Sequence, residues 1–131
     1  MNNQKKKIVI IDDETSFLSI FETALKNAGF EVKGFFDPEE SLKQVFKEKP
    51  DLILLDISMP GIDGLEVFER LKKGFGRKLP KTVFLTNLGG TMAGAGIDEH
   101  FAKNLGASGY LKKFEDLEIT VKKVQEIINE E

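Results

Sequence analysis

Strand-like and helix-like patterns of apolar residues alternate from one end of the chain to the other. Lys7 to Ile11 is a β-branched run that stops at Asp12-Asp13. Thr15 to Asn27 follows, with Phe17, Phe21, Leu25 and then Ala28 at helical spacing, and Ala28-Gly29 ends it. Phe30 to Phe36 reads as a second strand, with apolar residues at Phe30, Val32 and Phe35-Phe36. Asp37-Pro38-Glu39-Glu40 predicts a helix start: a capping Asp, Pro in the first turn, and acids at the positive end of the dipole. That helix carries Leu42, Val45 and Phe46 as far as Pro50. Leu52 to Leu55 is an unbroken apolar run, the pattern of a strand buried on both faces, and it ends in Asp56. A loop and a helix with Leu65, Phe68 and Leu71 come next, and Lys81 to Asn87 is the fourth strand. Gly89 to Gly96 holds four glycines in eight residues and reads as a flexible loop. A short helix with Ile97, Phe101 and Leu105 leads to the fifth strand in Gly106 to Lys113, and the last helix carries Leu117, Val121, Val124 and Ile128.

Five strands alternating with five helices, with no hairpin signals between strands, predict an α/β fold whose parallel sheet is covered on both faces. Right-handed crossovers bring every strand C-terminus to one edge, and doubly wound sheets bind ligands along that edge. Composition narrows the picture. At 131 residues and 40% hydrophobic, the chain is one domain with a real core. A formal charge of -3 leaves no nucleic-acid footprint. With no cysteine there is neither a disulfide framework nor a thiolate metal site. The longest apolar stretches are four residues, far short of a membrane span. Lys5-Lys6-Lys7 imitates the start of a signal peptide, but the apolar run behind it is short and meets Asp12-Asp13-Glu14. A cytoplasmic chain with no membrane insertion is the expectation.

The chemistry gathers at the strand ends. Asp12 and Asp13 end the first strand, Asp56 the third and Thr86 the fourth, and Lys113 follows the fifth. With the first and third strands adjacent, three carboxylates share one pocket. Two charges about 5 Å apart repel by about 3 kcal/mol at an effective dielectric near 20, so the group needs a cation or a proton. Oxygen ligands without His or Cys favour a hard ion, Mg²⁺ above all. Thr86 adds a hydroxyl and Lys113 a point charge. A metal, a carboxylate nucleophile, a hydrogen-bond donor and an ammonium together suit a phosphoryl group. Taken singly, each Asp is equally well a helix cap or a solvated loop residue, and Tyr110 can be plain core filling.

The segments VIIDDE, DLILLDISMPGIDG, VFLT and GASGYLKK, in this order and spacing, resemble the receiver domain of bacterial two-component response regulators over nearly the whole chain. The resemblance implies a flavodoxin-like doubly wound (βα)5 fold with strand order 2-1-3-4-5, and one receiver domain over residues 1–131 with no output domain. It implies that Asp56 takes a phosphoryl group from a histidine kinase or phosphotransfer protein. Asp13, Asp56 and the Ser58 carbonyl would bind Mg²⁺, and Asp12 would hold the metal's waters. Lys113 would pair with the phosphoryl oxygens, while Thr86 and Tyr110 would switch. The signal would leave by the face around the fourth helix, fifth strand and fifth helix, toward a separate output protein, unless an output domain has been removed from the chain. The implied state is a monomer or a weak phosphorylation-dependent dimer that turns over no external substrate.

The sequence departs from that family in places. Phe114 follows Lys113 where Pro is usual, and counting along the strand pattern favours Lys113 over Lys112 as the inward lysine. Asn87 follows Thr86 where a small residue is usual, and the stretch from Thr86 to Tyr110 is a few residues long. Ser58 and Leu88 flank the path of a hydrolytic water and neither would orient it, which predicts slow self-dephosphorylation. Two other functions compete. One is a receiver-like module that signals without phosphorylation. The other is a Mg²⁺-dependent phosphohydrolase of the haloacid dehalogenase kind, whose second Asp stands where this chain has Ser58.

Overall fold

The computed structural model describes residues 4–57, 64–86, 99–113 and 115–130. The strands are β1 (Lys7–Ile11), β2 (Glu31–Phe35), β3 (Leu52–Asp56), β4 (Lys81–Thr86) and β5 (Gly109–Lys112). The helices are α1 (Thr15–Asn27), α2 (Pro38–Glu48), α3 (Gly64–Phe75), α4 (Glu99–Leu105) and α5 (Leu117–Asn129). All strands pair in parallel in the order β2-β1-β3-β4-β5, which is the flavodoxin-like doubly wound order expected from the sequence.

Side chains alternate across a strand, and this explains the unbroken apolar runs. Ile8, Ile10, Leu52, Leu54, Val83, Leu85 and Leu111 pack against Phe17, Phe21 and Leu25 of α1 and Val124 and Ile128 of α5. Val9, Ile11, Ile53, Leu55 and Phe84 face the other way, against Leu42 and Val45 of α2, Val67, Phe68 and Leu71 of α3, and Ala102 of α4. Burial of this kind contributes roughly 1.5–3 kcal/mol per large side chain. Every residue of β3 is buried, Asp56 included.

Helix ends follow their local chemistry. The Asp37 carboxylate accepts the Glu39 N–H and Pro38 opens α2, as the sequence predicts. Lys49 closes that helix in the left-handed region, at φ 48°. Elsewhere the pattern and the structure part. A short 3₁₀ turn at Gly76–Lys78 has no sequence signal. Phe36 lies past the end of β2 and is exposed, because the chain is already turning toward the Asp37 cap. In α5 the core face is Thr120, Val124 and Ile128, while Leu117 is exposed and Val121 only half-buried. Thr120 can enter the core because its hydroxyl donates to the Asp116 carbonyl.

Candidate functional site

Hydrogen bonding between strands continues one residue beyond the sheet's C-terminal edge. The Asp12 N–H donates to the Phe35 carbonyl at 3.0 Å, Ile57 N–H to Leu85 at 3.2 Å, and Lys113 N–H to Thr86 at 2.8 Å. The residues that carry the chemistry are thus fixed by their backbones. By alternation Asp12 continues the Ile8/Ile10 face, Asp56 the Leu52/Leu54 face, and Lys113 the Leu111 face. All three fall on the α1/α5 side, and this register brings in Lys113 rather than Lys112.

The geometry is tight. One carboxylate oxygen from each of Asp12, Asp13 and Asp56 lies within 4.8 Å of the others. The Lys113 ammonium sits 2.9 Å from Asp12 Oδ2, 3.1 Å from Asp12 Oδ1 and 3.5 Å from Asp56 Oδ2. It also meets Glu14 Oε1 at 2.5 Å and lies 4.8 Å from the centre of the Phe17 ring. Its side chain is 2% exposed.

Among the described residues, the carboxylates of Asp12, Asp13, Asp56 and Glu14 thus share the pocket with one ammonium. Burial first, and then the Asp56 charge, push Asp12 up to about 7, against hydrogen bonds from Lys113 and the Glu14 N–H that favour the anion. Asp13 is raised for the same two reasons, less deeply buried as it is. Burial works against the Lys113 charge, but hydrogen bonds to Glu14 and Asp12 and the surrounding carboxylates outweigh it and raise its pKa. The negative excess asks for a cation. Among the described residues, Asp12 Oδ2 is buried without a hydrogen-bond partner, the Lys113 ammonium being close but poorly aligned to it. An orphaned carboxylate oxygen among hard oxygen donors fits Mg²⁺.

Thr86 and Tyr110 occupy the other side of the sheet from these groups. Thr86 is buried at the end of β4, in register with Lys112, and Tyr110 pairs with Phe84 and packs half-buried on the α2/α3/α4 layer. The one histidine, His100, is exposed. Ser58, Pro60-Gly61, Asn87, Leu88, the glycine-rich loop, Ile97 and Phe114 lie outside the described residues.

Two features have no clear signature in the sequence pattern. Glu14 directly follows the acid pair, and only the fold brings its side chain onto Lys113. Gly64 serves close approach: a Cβ there would stand 2.3 Å from the Asp56 carbonyl oxygen and 2.4 Å from Ile57 Cα. The start of α3 lies directly against the backbone that carries Asp56, so this glycine acts through its missing side chain rather than through a positive φ.

A doubly wound sheet with a carboxylate cluster and a buried lysine at its C-terminal edge is the architecture of a receiver. The chain belongs to the response regulator receiver domain family, whose model matches residues 8–125. It is 35% identical over 108 residues to the alkaline phosphatase synthesis transcriptional regulatory protein PhoP of Bacillus subtilis (strain 168), covering 82% of this chain and 42% of that protein. It is 33% identical over 118 residues to the regulatory protein VanRc of Enterococcus gallinarum, covering 89% of this chain and 48% of that one. The chain thus spans less than half the length of these curated relatives. Among solved structures it resembles the chemotaxis protein CheY4 of Vibrio cholerae, with a TM-score of 0.79, 26% identity, and coverage of 95% and 99% of the two chains.

Proposed function

We propose that the chain is a phosphorylation switch in which Asp56 accepts a phosphoryl group from a phosphohistidine of a histidine kinase or phosphotransfer protein. The observation that carries this reading is the Lys113 ammonium held between Asp12 and Asp56 in a pocket with Asp13. An Asp56 carboxylate oxygen attacks phosphorus, the P–N bond to the donor imidazole breaks, and its electron pair stays on the ring nitrogen, which is protonated from solvent. The product is an acyl phosphate on Asp56 and a neutral histidine on the donor. Asp13, Asp56 and the Ser58 carbonyl would hold Mg²⁺, with Asp12 holding its waters. When bound, the ion neutralises the carboxylates and the phosphoryl oxygens. Lys113 would neutralise a phosphoryl oxygen with its ammonium.

Thr86 and Tyr110 carry the change to the α4 layer and to the face formed by α4, β5 and α5. There a downstream output protein reads it. The chain performs only its own phosphotransfer and dephosphorylation, with no turnover of an external substrate.

Beryllofluoride, a phosphoryl mimic, tests this with Mg²⁺ by ¹⁹F and amide NMR. Expected are bound fluorine signals in the parent and none in Asp56→Asn, with shifts at Thr86 and Tyr110. Binding that ignores Asp56→Asn refutes the assignment of Asp56. Binding that leaves Thr86 and Tyr110 unmoved refutes their role.

A further inference from the structure

The contact of Lys113 with Glu14 is one that phosphoryl recognition does not call for. Glu14 occupies the N-cap position of α1, with φ −84° and ψ 95°, yet its side chain caps nothing. It turns to the pocket, and Oε1 meets the Lys113 ammonium at 2.5 Å. Its own N–H donates to Asp12 Oδ1 at 2.8 Å, so the backbone of Glu14 is pinned to the same cluster. Of the carboxylates of Glu14, Asp12 and Asp56, each within 4 Å of the Lys113 ammonium, Glu14 is the nearest and Asp56 the farthest, at 3.5 Å. Of these three, Glu14 is exposed, at 42%, while Asp12 and Asp56 are buried.

We propose that Glu14 is a latch on Lys113: it holds the ammonium in the unphosphorylated pocket and competes with the phosphoryl oxygens for it. The inference rests on Asp56 as the acceptor. A phosphoryl group there must bring Lys113 from 3.5 Å into hydrogen-bond contact with a new oxygen. The lysine makes that move by exchanging the Glu14 carboxylate for the phosphoryl oxygen, and the lost pair counts against the phosphorylated state. Glu14 is thus a positioning residue that sets the balance between the two states and takes no part in the bond-making.

The test is the beryllofluoride affinity, in Mg²⁺, of the parent, Glu14→Gln and Glu14→Ala, with Glu118→Gln as a control for removing one exposed charge elsewhere. A half-exposed ion pair is modest, so both Glu14 variants are expected to bind roughly five-fold more tightly, and the control within about two-fold of the parent. In parallel, the Lys113 ε-methylene resonances are read in lysine-labelled, metal-free protein. They are expected to shift in Glu14→Gln and to stay in place in Glu118→Gln. Unchanged or weaker binding in the Glu14 variants overturns the latch, as does an equal gain in the control. An unmoved Lys113 resonance in Glu14→Gln overturns it too. Failure of the parent to bind beryllofluoride would count against the proposed function, and the metal-free lysine spectrum would still decide whether the latch exists.

Discussion

Raising the pH of the metal-free protein from about 5 to about 8 strips protons from the acid cluster, and the structure sets both the direction and the scale of the change in stability. Asp12 is raised from 3.8 to about 7, by burial first and then by the Asp56 charge. A carboxylate whose pKa is raised by folding binds its proton more tightly in the folded chain. Its contribution is fully present below the unfolded pKa and is lost as pH rises through the folded one. At about pH 5 the unfolded carboxyl is already ionised, so the window takes in about two units, from about 5 to about 7, at 1.36 kcal/mol each, and sets a ceiling of about 3 kcal/mol for the loss from Asp12. Asp13 is raised too and adds in the same sense. Glu48 runs the other way, lowered by hydrogen bonds from Lys33 and Lys7, so its contribution is lost only in acid below this window. Against a total of roughly 5–15 kcal/mol for a small domain, the loss is large. Urea unfolding across the range in a chelator is therefore expected to show stability falling toward pH 8. Mg²⁺ should restore more at pH 8 than at pH 5, because the ligands must be deprotonated to bind it. Asp12→Asn should flatten the slope. A flat profile in the parent, or an unchanged slope in Asp12→Asn, refutes the electrostatic reasoning.

Other expectations rest on single contacts. Gly64→Ala places a methyl group 2.3 Å from the Asp56 carbonyl oxygen, against backbone that cannot turn aside. It is expected to cost about 1–3 kcal/mol in urea unfolding and to weaken beryllofluoride binding with it. Lys113→Met removes the ammonium that Asp12 and Asp56 face. The metal-free protein should lose about 3–5 kcal/mol, and Mg²⁺ should return part of it, as read from thermal melts with and without the ion. Asp116 caps α5 by accepting from the Glu118 and Ile119 N–H groups. Asp116→Ala should cost about 1 kcal/mol while leaving beryllofluoride affinity unchanged.

The fold was legible because its sheet is buried on both sides. Runs such as Ile8–Ile11 and Leu52–Leu55 mark strands without ambiguity, and each ends in the carboxylate it delivers to the edge. Lys113 was legible by the same period, two residues beyond Leu111. The misses fall where tertiary contacts override pattern. Thr120 replaces Val121 in the α5 core because a local hydrogen bond satisfies its hydroxyl. Glu14 carries no periodic signal, since its position in the pocket depends on β5 and α1 meeting across the chain. The need for Gly64 comes from the approach of α3 to the backbone of β3, which spacing alone does not reveal.

The central claim is that Asp56 accepts a phosphoryl group. Intact-mass spectrometry after incubation with Mg²⁺ and acetyl phosphate, beside an Asp56→Asn control, tests it most directly. A gain of one phosphoryl group in the parent alone is the expected result. No gain in the parent, or an equal gain in Asp56→Asn, contradicts it.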